Sequence, residues 1–246
     1  MPRGPREKSE TGLYHIMLRG IDKREIFLSK SDYKRFLSYI EKIKETIPVS
    51  VYAYCLMTNH VHILIKSETE EIGNIVRRIA VGYAQYHNIK YGRTGHLFQN
   101  RFRSETVNDD NYFLIVLRYI HQNPINAGIV KNVSDYQWSS YHEYIGYQSK
   151  LIDKSFALQY FSNINKFIEF MNQTNKDKCL EYQQNTRYTD KDLGKIISLS
   201  YDLDSIKHMD IKARNNVILK IKGDTGVSNR QLARVLNIGR SIIERV

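Results

Sequence analysis

The sequence predicts an α+β protein: a ferredoxin-like antiparallel sheet with helices on one face, followed by an all-α helix-turn-helix. Three observations carry that expectation. Residues 1–146 run as strand, helix, strand, strand, helix, strand, the order of a ferredoxin-like layer. Two apolar runs, Val51–Met57 and His60–Lys66, are joined by a tight Met57-Thr58-Asn59 connection, so they pair as neighbours. Residues 201–246 turn to helical spacing and carry nine Lys and Arg against five Asp and Glu. The expected organisation is a domain over 1–146, a helical linker over 147–200 and a helix-turn-helix domain over 201–246.

Each element follows from local pattern. Tyr14–Gly20 reads as the first strand. Ser31 suits an N-cap, and Tyr33, Phe36, Leu37, Ile40 and Ile43 form an apolar stripe that predicts a helix to about Thr46, ahead of Pro48. After the two central strands, Glu71 to about Tyr91 reads as the second helix and Arg103–Asn108 as the fourth strand. Asp109 or Asp110 caps the next helix, whose stripe is Phe113, Val116, Leu117 and Ile120. Pro124 disfavours helical geometry at Asn123, so the helix is expected to stop there. Ile168–Asn185 is polar, helical or linker-like, and Thr189–Ser198 has a short helical pattern. In the tail, a helix containing Ala213, Val217, Ile218 and Ile221 ends near Gly223. Ser228 and Gln231 then make a capping box, Leu232, Ala233 and Leu236 face inward, Asn237-Ile238-Gly239 turns, and Arg240 opens a last helix.

Bulk properties narrow the class. With 246 residues, 41% of them hydrophobic, the chain can hold one large domain or two small ones. Its first residues, Met-Pro-Arg-Gly-Pro-Arg-Glu-Lys, lack the apolar core of a signal peptide, and no apolar run reaches membrane-spanning length. Cys55 and Cys179 are too few for a disulfide scaffold, so a cytoplasmic protein without a membrane partner is expected. The net charge of +11 is concentrated. Between Ile72 and Ser104 there is no acidic residue, while Arg77, Arg78, Lys90, Arg93, Arg101 and Arg103 are interleaved with Tyr83, Tyr86, Tyr91 and Phe98. Cations that neutralise phosphates, mixed with rings that stack on unpaired bases, suit a single-strand-binding surface. The same tyrosines also fit the core side of an amphipathic helix.

Residues 58–62, Thr-Asn-His-Val-His, carry the chemistry. Alternation along a strand points His60 and His62 the same way. Two imidazoles on one face are half of a metal site; equally, they are a pair that decorates a half-exposed strand. Four residues apart on their helix, Tyr119 and Asn123 share a face and offer a phenol and an amide oxygen together.

Several motifs together resemble a known family. Asn59-His-Val-His62, Gly95-His-Leu-Phe-Gln-Asn-Arg-Phe102 and Tyr119-Ile-His-Gln-Asn-Pro-Ile-Asn-Ala-Gly128 resemble the single-tyrosine HUH transposases, in their REP-associated tyrosine transposase branch. Tyr14-His-Ile-Met-Leu-Arg-Gly20 and Trp138-Ser-Ser-Tyr141 fit the same pattern, which covers about residues 10–146. The resemblance implies the HUH endonuclease fold, Tyr119 as nucleophile, and His60, His62 and Asn123 as ligands of Mg2+ or Mn2+. It implies attack on single-stranded DNA beside hairpin, REP-like repeats, a 5′-phosphotyrosyl link and a free 3′-hydroxyl, in a monomer or a homodimer. Asn126 departs from the pattern, where such proteins often carry Arg.

DNA contacts are expected from His15 and Arg19 on the first strand, with a satisfied sheet histidine as the equal reading of His15. Arg77, Arg78, Arg93, Arg101 and Arg103 are the candidate phosphate contacts of the basic stretch. The tail resembles helix-turn-helix segments of replication-initiator or sigma-factor type, with Arg240, Ser241, Glu244 and Arg245 facing a duplex groove. Two other functions compete. One is a domesticated DNA-binding regulator whose chemistry is idle; the other is a metal-dependent hydrolase that uses water and survives loss of Tyr119.

Overall fold

The structure is a computed structural model that describes residues 7–146, 151–174, 179–180 and 188–246. The chain divides into two compact units, Met1–Glu181 and Tyr182–Val246. This departs from the expected boundaries at 146 and 200, and the physical reason lies in packing. Residues expected to form a linker bury apolar side chains in one unit or the other. Leu151, Ala157, Phe167 and Met171 enter the core of the first, and Leu193 and Ile197 that of the second. Part of the linker expectation, like that on the first six residues, lies outside the described residues.

In the first unit, β1 (Leu13–Arg19), β2 (Val49–Leu56), β3 (His60–Ser67) and β4 (Arg103–Thr106) form an antiparallel sheet in the order β2-β3-β1-β4. Around it stand α1 (Lys30–Thr46), α2 (Ile72–Lys90), α3 (Asp110–Asn126), α4 (Tyr141–Tyr144), α5 (Lys154–Leu158) and α6 (Ile164–Asn172). This is the predicted α+β architecture. Register sorts the strand residues. His15, Met17 and Arg19 lie opposite Leu64, His62 and His60 on one face, and Glu105 and Arg103 on β4 share it. Ile16, Leu18, Val61 and Ile63 point the other way and are equally buried, so both faces are covered. α1 and α2 pack on each other, while α3 lies on the edge strand β2 and on β3, over the histidines.

Local chemistry sets the helix ends. α1 is capped at Ser29, not Ser31, because Asp32 completes a capping box by accepting the Ser29 N–H at 2.8 Å. Asp109 caps α3 through the Tyr112 N–H at 2.8 Å. α3 does not stop at Asn123: Pro124 sits inside it, and Gly128, at a left-handed φ of 69°, follows its end. The preference against helix before proline is overridden by burial of both Asn123 and Pro124. That override matters, because it holds Asn123 one helical turn from Tyr119.

The other edge-strand device is the Trp138-Ser-Ser-Tyr141 segment. The Leu56 N–H donates to the Trp138 carbonyl and the Ser140 N–H to that of Tyr54, so the segment covers the edge of β2. Trp138 stacks on Tyr33 at 4.3 Å. In α6, Phe167 is fully buried and stacks on Tyr144 at 4.7 Å. Phe167→Leu should lower the stability of the first unit by about 1.5 kcal/mol, read as a reduced denaturant midpoint at constant slope. No change would detach α6 from this core.

The second unit is all-helical: α7 (Asp190–Ser198), α8 (Leu203–Ile206), α9 (Ile211–Thr225), α10 (Asn229–Leu236) and α11 (Arg240–Glu244) surround Ile206, Ile218, Leu232, Leu236 and Ile243. α9 runs past Gly223 and ends at Gly226, whose φ of 61° suits glycine. Ser228 caps α10 as expected, but the Gln231 side chain donates to the Tyr188 carbonyl and does not complete a capping box. Asn237, at a left-handed φ of 51°, makes the turn into α11. No described helix is long and apolar enough to cross a membrane.

Candidate active site

The four residues singled out as the catalytic set meet where α3 crosses β3. The Asn123 Oδ1 lies 3.1 Å from Nε2 of His60. The Tyr119 ring stands edge-on to His62 at 5.7 Å and to His15 at 5.9 Å. The rings of His60 and His62 are 5.1 Å apart. Tyr119 is 4% and Asn123 8% exposed, and His62 is fully buried. Of the four, only His60 is more open, so the set faces solvent on its side.

Each histidine is oriented through its Nδ1. The Asn59 side-chain amide donates to the Lys23 carbonyl at 3.1 Å, which turns its oxygen toward His60 Nδ1 at 2.7 Å. The shorter of the two His60 contacts is the one at Nδ1, and a proton there would leave an electron pair on Nε2, toward the Asn123 oxygen. His62 Nδ1 lies 2.9 Å from His15 Nε2, and its own Nε2 is buried with no hydrogen-bond partner. Burial, followed by the neighbouring His15 and His60, keeps His62 neutral by holding its pKa well below the ordinary value.

These observations fit a divalent ion. A buried imidazole nitrogen without a partner, a second one facing an amide oxygen, and open positions for water or phosphate suit a transient hard cation. No group of three His, Cys, Asp or Glu that could hold a metal stands together among the described residues, so a third protein ligand beside His60 and His62 would be a side chain of another type, such as the Asn123 amide oxygen. Burial raises the Cys55 thiol far above its ordinary pKa, which leaves a protonated, inert side chain.

The flanking residues of α3 point elsewhere. His121 Nε2 meets Ser140 Oγ at 2.8 Å and, because it is buried, has its pKa lowered to about 3. Gln122 donates to the Met171 and Gln173 carbonyls. Neither reaches the Tyr119 face.

The expected DNA contacts divide. His15 is fully buried between His62 and Glu105, so it cannot touch DNA directly and the sheet reading holds. Arg19 lies opposite His60 on the same sheet face, and Arg103 opposite Met17. The Gly95–Phe102 segment is laced to the end of β1 by the Gln99 N–H on the Arg19 carbonyl at 2.7 Å, and Arg101 beyond it is exposed. Arg77 and Arg78 are exposed on α2, beside Asn74 and Glu70, and Arg93 is half-buried. Lys90 is not a free cation, because it pairs with buried Asp32 at 2.6 Å. Of the interleaved rings, Tyr83 is core, and Tyr86 and Tyr91 donate to Asp32. In the second unit Arg240, Ser241 and Arg245 are exposed, and Arg240 pairs with Glu244 at 2.7 Å.

Two contributors went unassigned at the level of sequence, Asn59 and Glu105. Asn59 directly precedes the histidine pair and could have been flagged there. Glu105 carries no signal until β4 is paired with β1.

Residues 8–123 match the family described as IS200-like transposases. A Haemophilus influenzae protein named as a candidate REP-associated tyrosine transposase is 28% identical over 151 residues, 56% of this chain and 84% of its own. An Escherichia coli K12 protein named REP-associated tyrosine transposase is 23% identical over 137 residues, 55% of this chain and 78% of its own. A solved structure of a REP-associated tyrosine transposase bound to a REP hairpin aligns with a TM-score of 0.52 at 21% identity. It covers 63% of this chain and 96% of that one. At that identity the likeness is one of fold.

Proposed function

We propose that this chain is a member of the IS200-like transposase family, whose model matches residues 8–123, and that it nicks and rejoins single-stranded DNA through a phosphotyrosyl link at Tyr119. The convergence of Tyr119 and Asn123 from α3 on His60 and His62 from β3 is the observation that carries the reading. An ordinary tyrosine phenol has a pKa of about 10, so at neutral pH the attacking phenolate costs roughly 4 kcal/mol. A divalent ion, Mg2+ or Mn2+, held by His60, His62 and Asn123 would supply charge neutralisation and polarisation at the scissile phosphate.

The rest falls to the chain. α3 presents the Tyr119 oxygen to phosphorus, a new Tyr–O–P bond forms and the P–O3′ bond breaks. The upstream strand leaves as a 3′-hydroxyl and the downstream 5′-phosphate stays on the protein. Because the ester conserves the bond energy, an incoming 3′-hydroxyl reverses the step and joins a new strand. Arg19, Arg101 and Arg103 hold the backbone near the site, and Arg77, Arg78 and Arg93 extend the positive surface. A substrate with hairpin, REP-like repeats is proposed because a structural relative is bound to a REP hairpin. Arg240, Ser241 and Arg245 give the second unit a polar, cationic face suited to a duplex.

End-labelled oligonucleotides test the polarity. With Mg2+ or Mn2+, a 3′-labelled hairpin strand should yield a protein adduct that survives denaturation, and a 5′-labelled one only a shorter free strand. EDTA should abolish both. Label retained from the 5′ side, or cleavage with no adduct at all, would overturn the reading.

A further inference from the structure

We propose that Glu105, acting through His15, fixes the proton of His62 on Nδ1 and so keeps its Nε2 as an electron-pair donor in the site. This rests on the metal-bearing reading above and adds two positioning residues to it. The chain of contacts crosses three strands. Glu105 on β4 lies opposite His15 on β1, with its Oε2 3.5 Å from His15 Nδ1. His15 Nε2 lies 2.9 Å from Nδ1 of His62 on β3. His15 and His62 are both fully buried, away from bulk solvent.

Two neutral imidazoles that share one hydrogen bond can be polarised in either direction. Either His15 donates from Nε2, or it accepts there and His62 donates from Nδ1. A free imidazole side chain prefers its proton on Nε2, which would send the bond toward His62 and force the His62 proton onto Nε2. That arrangement would block the ring nitrogen without a partner. A carboxylate beside His15 Nδ1 reverses the balance, because its negative charge draws the His15 proton to Nδ1 even at 3.5 Å. His15 then accepts from His62, and the His62 electron pair is left on Nε2.

The carboxylate is itself held in place. The Leu180 N–H donates to Glu105 Oε2 at 3.1 Å, and the Tyr112 hydroxyl also donates to this side chain. Burial works against the Glu105 carboxylate, yet His15, Tyr112 and the Leu180 N–H keep its pKa below the ordinary value. His60 follows the same rule with a different partner, since Asn59 takes its Nδ1 proton. Both candidate ligands are therefore oriented from Nδ1, one by an amide and the other by a histidine backed by a carboxylate.

The test reads proton position directly, by long-range 1H–15N correlation on histidine-labelled, metal-free full-length protein, and then Mn2+ affinity by titration. Wild-type His62 should carry its proton on Nδ1. Glu105→Leu should move it to Nε2 and weaken Mn2+ binding by about 10–100-fold. Glu105→Gln, whose amide oxygen keeps a negative dipole near His15 Nδ1, should retain the wild-type proton position. A wild-type His62 protonated on Nε2, or an unchanged His62 in Glu105→Leu, would overturn the proposal. Failure of the underlying metal reading looks different: wild type would show no Mn2+ binding, while the metal-free spectra would still support or overturn the proton assignment.

Discussion

Tyr119→Phe should abolish the protein–DNA adduct and slow strand cleavage by at least about a thousandfold. The substitution removes one oxygen, the only atom of the side chain that can bond to phosphorus. The ring remains, and with it the edge-on contacts to His15 and His62. Binding of a single-stranded hairpin should therefore stay within a few-fold of wild type while turnover is lost, a separation that assigns the residue to the chemical step. A gel-shift titration and a single-turnover cleavage assay on the same preparation measure the two halves. Cleavage within tenfold of wild type would transfer the nucleophile to water and favour the metal-dependent hydrolase.

The largest expected loss of stability is at Asp32, far from the chemistry. This carboxylate is fully buried and accepts from the Leu28 and Ser29 N–H groups, the Tyr91 and Tyr86 hydroxyls and the Lys90 ammonium. Asp32→Ala would leave an uncompensated cation and several unpaired donors, and should cost about 3 kcal/mol, measured by chemical denaturation. Burial opposes ionisation here, but the bonds from Lys90, Tyr91, Leu28 and Tyr86 outweigh it and hold the folded-state pKa well below the ordinary carboxylate range.

The sign follows from that direction. An unfolded Asp titrates near about pH 3.9, so the Asp32 contribution is complete above that value and declines as pH falls below it. Asp32→Asn should be less stable than wild type at neutral pH, and the gap should narrow as both are taken below about pH 4. A gap that stays constant down to strongly acid pH would mean that folding does not lower the Asp32 pKa.

Much of the first unit is legible in the sequence. Period-2 and period-3.6 patterns placed the four strands and the three long helices, and alternation put His60 and His62 on one face. Helical spacing likewise put Tyr119 with Asn123. The errors came where local preference met packing. Pro124 was read as a stop, but burial of Asn123 and Pro124 carried the helix through. Residues 147–200 carry no motif and include the polar stretch Ile168–Asn185, so sequence alone suggests a helical linker. Yet Phe167 and Met171 reach one core, and Leu193 and Ile197 another. Lys90 suits a nucleic-acid surface because sequence shows charge without partners, but Asp32 claims it; of the two readings open for Tyr83, the core holds.

By itself the sequence predicts the sheet-and-helix order and the basic character of the chain, and it puts His60 with His62 and Tyr119 with Asn123, because each pair depends on spacing within a single element. Only the tertiary structure decided that Asn59 orients His60, that His15 is buried and not a DNA contact, and that Glu105 stands behind His15. Those contacts join residues as many as 90 positions apart across β4, β1 and β3. A tight turn sets the β2–β3 pairing locally, but the pairing of β1 with β3 and β4 joins distant segments and is set by which faces bury together.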